Sequence, residues 1–234
     1  MIRDFVVDFT KRRRDLRRYV RALYIYERLS SKINDIDQKV NSAGLQLASE
    51  QLHVMRAGTF LVLYNMIEAT SRNAIEAIHD SITSKEIRFE ELNTTLQREA
   101  ILGFKRRANP DQHLPIQNLS IEFVAAALDT DRQFNGNVDA KLLREISDTY
   151  GFSTECNKRE THNGSDLLTI KTARNDLAHG RKTYDEVGRN YSFRDILRIC
   201  IRSTRYTNQI INNINLYLDY ESYLNNPPYL VLKT

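Results

Sequence analysis

The chain has 234 residues, 41% apolar and 27% charged, which excludes a wholly disordered, collagenous or coiled-coil protein. Eight glycines and four prolines make up about 5% of it, against a usual ~12%, so it has few turns to spend and is expected to be built from long helices. The net charge of +4 is unevenly placed: residues 1–28 carry nine bases and four acids, an excess of +5, and the remainder carries −1.

The first periodic stretch runs from Asp15 to Val40, with Leu16, Tyr19, Val20, Leu23, Tyr26, Ile33, Ile36 and Val40 at three- and four-residue steps, the spacing of one helix face. It belongs to a basic N-terminal helix placed within residues 1–40. The cluster from Lys11 to Arg21 fits either a polyanion such as RNA or a solvated helix face. Asn41 to Gly44 breaks the pattern. A second stretch, Leu45 to Ile82, contains the most apolar run of the chain, Thr59 to Ile67, and is expected to be the central buried helix. A third helix is expected from Phe89 to Arg107, ending before Asn109-Pro110, because the residue preceding proline avoids the α region. Residues 109–120 read as a linker, Ile121 to Leu128 as a short apolar stretch, and Asn135-Gly136-Asn137 as a turn. Asp139 to Tyr150 reads as a helix with Gly151 just past its end.

Residues 152–164 read as a polar loop. Ser165 is expected to cap a helix over Asp166 to Ala178, with Leu167, Ile170, Ala173 and Leu177 inward and Gly180 at its end. Residues 181–191 read as a charged loop. Ser192 and Asp195 resemble a capping box that opens a helix reaching Leu224, with Leu197, Ile201, Thr204, Ile211, Ile214 and Leu218 on its inner face. The tyrosines Tyr206, Tyr217, Tyr220 and Tyr223 are expected to pack or make dimer contacts. No stretch alternates at period two. The expected architecture is therefore an all-α bundle, one domain over residues 1–234, with the last two helices within 165–224.

Two cysteines, Cys156 and Cys200, form no CxxC pair, which suits reduced thiols. No run of 18 apolar residues is present, and the start, with acids before bases, does not suit an export signal. A cytoplasmic protein without a membrane span is expected. The five histidines include no pair at i+3 or i+4 and no HExxH; no GxxxxGK[ST], GxGxxG or GxSxG occurs. No metal or cofactor site is expected.

One segment gathers reactive side chains: Ala173-Arg174-Asn175-Asp176-Leu177-Ala178-His179-Gly180. Asn175 and His179 share a helix face, being i and i+4, whereas Arg174 and His179 lie about 140° apart on an ideal helix. The pair therefore needs a curled arginine, an unwound turn or a second chain in order to converge. Histidine moves protons near neutral pH, and arginine's fork of donors suits a phosphate as charge builds on it. Asparagine can orient either group. The segment can equally be an ordinary helix end, with histidine near the last carbonyls and Gly180 closing it.

Arg174-Asn175-x-x-Ala178-His179-Gly180 resembles the R-x(4–6)-H motif of the HEPN superfamily. Tyr64 to Arg72, Phe134 to Asp139, and the loop Tyr184 to Gly188 before the last long helix resemble one bacterial branch of it, often linked with restriction, toxin and phage-defence genes. The resemblance covers residues 15–224. It implies a helical bundle that homodimerises and a metal-independent endoribonuclease with two motifs facing across the dimer. His179 would then be general base or acid, Arg174 would hold the phosphate, and Asn175 would orient them. The product would carry a 2′,3′-cyclic phosphate, and DNA, lacking the 2′-OH, would resist. A toxin or phage-defence role would bring an antitoxin or defence partner. Where relatives controlled by nucleotidyltransferase antitoxins often carry tyrosine two residues after the histidine, this chain has Arg181. Beyond the motif, Glu68 and Arg72 either face the site as outer support or form a structural i,i+4 ion pair. Arg181 and Lys182 either follow the RNA backbone or sit in a solvated loop.

Overall fold

A computed structural model describes residues 2–36, 42–107, 134 and 136–228 of the chain. The expected linker 109–120, the apolar stretch Ile121 to Leu128 and Asn135 lie outside the described residues. Helix α1 (Asp4–Ile36) starts eleven residues before the expected Asp15, because Phe5 and Phe9 extend its buried face toward Leu16 and Leu23. Helix α2 (Ser42–Ser84) likewise starts earlier than Leu45. The two run antiparallel. Tyr19 Oη donates to Met55 O at 2.9 Å, Arg56 pairs with Glu27 at 2.6 Å, and Asn73 reaches Asp8 at 3.1 Å.

Helix α2 is the spine of the molecule. At 43 residues it spans about 65 Å, and α1 and the helices at residues 166–178, 184–188 and 193–219 pack against it. Phe60, Leu63, Tyr64, Met66 and Ile67 are all essentially inaccessible. Its apolar run is not covered all round, since Asn65 is exposed and Leu61 and Val62 are half-buried.

The expected third helix is two elements. A single 3-10 turn at Phe89–Glu91 precedes α3 (Thr94–Arg107). Asn93 separates them, its Oδ1 accepting from Leu96 N at 2.9 Å as an N-cap. Helix α4 (Ala140–Tyr150) is capped by Asp139 and ended by Gly151, whose φ of 87° is the left-handed geometry anticipated for it.

Two expected loops contain helical turns. Within 152–164, Asn157 Oδ1 accepts from Arg159 N and Glu160 N and opens α5 (Lys158–Thr161), followed by a 3-10 turn at His162–Gly164. This turn feeds straight into α6 (Asp166–Ala178), so Ser165 is already helical and its side chain caps nothing. Asp166, in the first turn, instead binds Arg202 through both oxygens, at 2.7 and 3.0 Å. Within 181–191, Thr183 and Glu186 form a reciprocal capping box around α7 (Tyr184–Gly188).

Helix α8 (Phe193–Asp219) opens with the expected Ser192/Asp195 box but stops five residues before Leu224. The chain turns at Glu221, with φ of 50°, and Leu224 bridges back to Leu92. Leu197 and Ile201 do not face inward: both are exposed, and the buried stripe is Ile196, Ile199, Cys200, Ser203, Tyr206, Thr207, Ile210, Ile211, Ile214, Tyr217 and Leu218. Of the four tyrosines, Tyr206, Tyr217 and Tyr223 are buried and Tyr220 is exposed. All described elements are helical, and none of these helices is long and apolar enough to cross a membrane.

His79, on α2, stacks on Tyr150, with its Nε2 2.7 Å from the hydroxyl. Burial pushes its pKa down to about 4, so the folded protein holds it neutral. Between pH 6.5 and 4 the unfolded chain takes up a proton that the folded one refuses. The stability His79 supplies is complete above 6.5 and falls by ~3 kcal/mol as pH drops to 4. Urea unfolding at both pH values should show that decline in the wild type and a correspondingly smaller one in His79→Gln.

Candidate functional site

The site is built where Phe134 and residues 136–139 are clamped between α2 and α6. From α2, Tyr64 Oη accepts from Val138 N at 3.1 Å, Glu68 Oε1 accepts from Gly136 N at 3.1 Å, and Arg72 donates to Phe134 O at 2.6 Å. From α6, Asn175 Nδ2 donates to Asn137 Oδ1 at 3.3 Å, and Lys171 forms an ion pair with Asp139. Burial alone would raise the Asp139 carboxyl. The Lys171 ammonium and the Leu142 N–H outweigh it and hold that carboxyl below the usual range.

Arg174 lies across this clamp. Its guanidinium carbon sits 4.7 Å from the centre of the Tyr64 ring, and NH1 donates to Asn175 Oδ1 at 2.9 Å and to Gly136 O at 3.4 Å. Gly136 is required here. Its φ is +85°, and an added Cβ would meet NH1 at 3.3 Å and NH2 at 3.4 Å. Burial pushes the Tyr64 phenol above its ordinary pKa, so the ring under Arg174 stays neutral. Among the described residues Arg174 has no carboxylate partner, and its Nε and NH2 donate to no protein acceptor. A half-buried cation of fixed orientation with spare donors has the chemistry to receive an anion.

His179 is the C-cap of α6 and is exposed, with its backbone N–H bonded to Asn175 O at 3.0 Å. Gly180, at φ +63°, reverses the chain: its N–H bonds Leu177 O at 3.2 Å and that of Arg181 bonds Asp176 O at 2.8 Å. This is a Schellman ending. It leaves the imidazole at an outward tip without a side-chain hydrogen bond among the described residues. The structure thus unites Arg174 and Asn175 and, through the clamp, Glu68 and Arg72. It does not bring His179 into contact with Arg174 inside one chain. Arg181 is exposed, while Lys182 is tied to Asp176 at 2.7 Å.

One turn back from Arg174 on α6, Lys171 enters a cleft of about 1,100 Å³ between α4, α6 and the 154–165 segment, lined also by Lys141, Arg144, Lys158 and Tyr206. No sequence motif marks Lys171, Lys141, Arg144 or Lys158 for a role. Lys141, Arg144 and Lys158 sit on short elements whose proximity to α6 is purely tertiary. Among the described residues no group of three or more His, Cys, Asp or Glu side chains is placed to hold a metal ion.

An all-helical bundle with a cation-and-imidazole helix end, clamped through a loop onto a long central helix, defines an HEPN-type domain. The model of the HEPN_MAE_28990-like HEPN family matches residues 8–223, and the chain belongs to that family. Neither the curated proteins nor the solved structures compared with it gave a significant match.

Proposed function

We propose that the chain is a metal-independent endoribonuclease of toxin or phage-defence type, active in the cytoplasm as a homodimer whose interface completes an Arg/His site. The observation that carries this reading is Arg174: a guanidinium held against Tyr64, braced by Asn175 and Gly136, and left with Nε and NH2 open. Those donors fit the non-bridging oxygens of a phosphodiester and are aimed before substrate arrives, so they stabilise the charge that develops there without reorganising. His179 supplies the proton chemistry. It takes the proton of a ribose 2′-OH, whose oxygen attacks the adjacent phosphorus. The bond to the 5′-oxygen breaks, that oxygen takes a proton from the same imidazolium or from water, and a 2′,3′-cyclic phosphate remains. Neither step calls on a metal ion. The cleft beyond Lys171 gives the strand a basic path away from the reacting phosphate.

The separation of His179 from Arg174 within one protomer favours a second reading, an HEPN module that binds RNA or a partner protein, including a restriction-type system, without cutting. One assay separates the two. Wild type and His179→Ala are incubated with total RNA in EDTA. The nuclease reading expects cleavage in the wild type and a loss of about 10²–10⁴-fold in the variant. Equal RNA retention by both proteins with no cleavage establishes the binding module instead.

A further inference from the structure

The exposed side of α8 and the basic face of α1 form a groove of about 680 Å³ that no residue of the motif lines. The two helices run antiparallel: Arg3, just before α1, pairs with Asp219 at one end, and Tyr24 packs on Phe193 at 5.5 Å at the other. The floor is apolar, with Leu16, Val20, Tyr24, Leu197 and Ile201 along it. Leu197 and Ile201 are 38% and 44% exposed, although they lie on the helix that otherwise carries the core.

One edge is a row of arginines. Arg13, Arg17 and Arg21 recur every four residues on α1, about 6 Å apart along the axis, and Arg205 stands on the opposite wall. The only acid in the lining, Glu160, faces Arg205 at 3.7 Å. Arg17 and Arg21 pair with no acid among the described residues.

We infer that this groove is a docking site for an acidic amphipathic helix of a partner protein. The charge and shape argue for that occupant. An apolar stripe of leucine-like side chains would cover the floor, and carboxylates at i and i+4 on its flank would match the arginine row rung for rung. From Arg13 to Tyr24 the trough is about 17 Å long, three turns of such a helix. A second copy of this chain is a poor occupant, because a twofold contact would set one arginine row against the other. RNA would neutralise the arginines but leave the aliphatic floor bare. The inference is independent of the nuclease reading.

The test uses the full chain and two fluorescent stapled helices of about 16 residues with leucines at three- and four-residue steps, one flanked by glutamates and the other by lysines in the same places. The acidic helix should bind in the micromolar range and weaken as salt rises. Its affinity should fall about tenfold or more in Ile201→Glu and in Arg17→Glu/Arg21→Glu, and the doubly reversed variant should come to prefer the lysine helix. These positions are exposed, and helicity by circular dichroism checks that the variants fold. Equal binding of both helices to the wild type, or no binding of the acidic one, overturns the inference. So does a dimer that Ile201→Glu alone converts to monomer, which would make the groove a self-interface, or displacement of the bound helix by an RNA oligonucleotide.

Discussion

Arg174→Ala and His179→Ala proteins, each silent alone, are expected to recover about a quarter of wild-type RNA cleavage when co-expressed in one cell and purified together. The reason lies in how α6 ends. His179 follows Arg174 by five positions, which puts them on different sides of the helix. The end does not unwind to correct this: the last turn closes as a Schellman ending, with Gly180 at φ +63°. Nor does Arg174 curl over to the imidazole, because Tyr64, Asn175 and Gly136 hold it on the α2 side. A working pair must then combine arginine from one copy with histidine from another. In a mixed population about half of the dimers are heterodimers, and each of these has one composite site with both groups intact and one with neither. Both proteins should fold. His179 is exposed, so its loss costs about 0.5 kcal/mol or less. Losing the Arg174–Tyr64 contact costs ~1–2 kcal/mol out of a total of ~5–15. Size-exclusion with differently tagged protomers confirms that heterodimers are present. If they are present and the mixture stays silent, the composite site is wrong.

The long helices were legible because burial repeats along them. Phe60, Leu63, Tyr64 and Ile67 step at threes and fours, and the core follows those steps. Short elements carry no such repeat. Helix α7 has five residues, too few for periodicity, yet Thr183-x-x-Glu186 spelled its capping box. Periodicity also reports that a helix is amphipathic without saying which flank a neighbour covers. Leu197 and Ile201 fit the periodicity of α8 and stay exposed because they line the open groove between α8 and α1. At the site, the Arg174–His179 motif is local and could be read directly. Tyr64 lies 110 positions from Arg174; their contact exists only because α6 docks on α2. Glu68 and Arg72 show the same limit. Their i,i+4 spacing fits either support of the site or a pair bound to each other, whereas the structure has Glu68 and Arg72 grip the backbone of Gly136 and Phe134, which no spacing rule reveals.

Gly188→Ala is expected to destabilise the protein by ~3 kcal/mol or more, at or beyond the upper end of overpacking costs. Helix α7 docks on α2 with Gly188 against the backbone of His53. An added Cβ would stand 1.8 Å from the His53 carbonyl oxygen and 2.5 Å from its carbon. Backbone in the middle of a long helix cannot yield, so α7 must back away. That pulls Val187 from the core and strains the bond between His53 Nδ1 and Asp185 at 2.7 Å. Gly58→Ala is the informative comparison. Its Cβ would meet Tyr19 Oη at 2.3 Å, a closer-than-allowed contact of the same kind on paper, but with the tip of a side chain. Tyr19 can swing away, losing one hydrogen bond to Met55 O, about 1 kcal/mol, which the better helix propensity of alanine offsets by about the same amount. Urea midpoints should therefore drop sharply for Gly188→Ala and hardly move for Gly58→Ala. Similar midpoints for the two would mean that α7 is not seated on His53. Because Arg181 and Lys182 connect the motif helix to α7, the Gly188 variant should also lose RNA cleavage at temperatures where it remains folded, which the Gly58 variant should not.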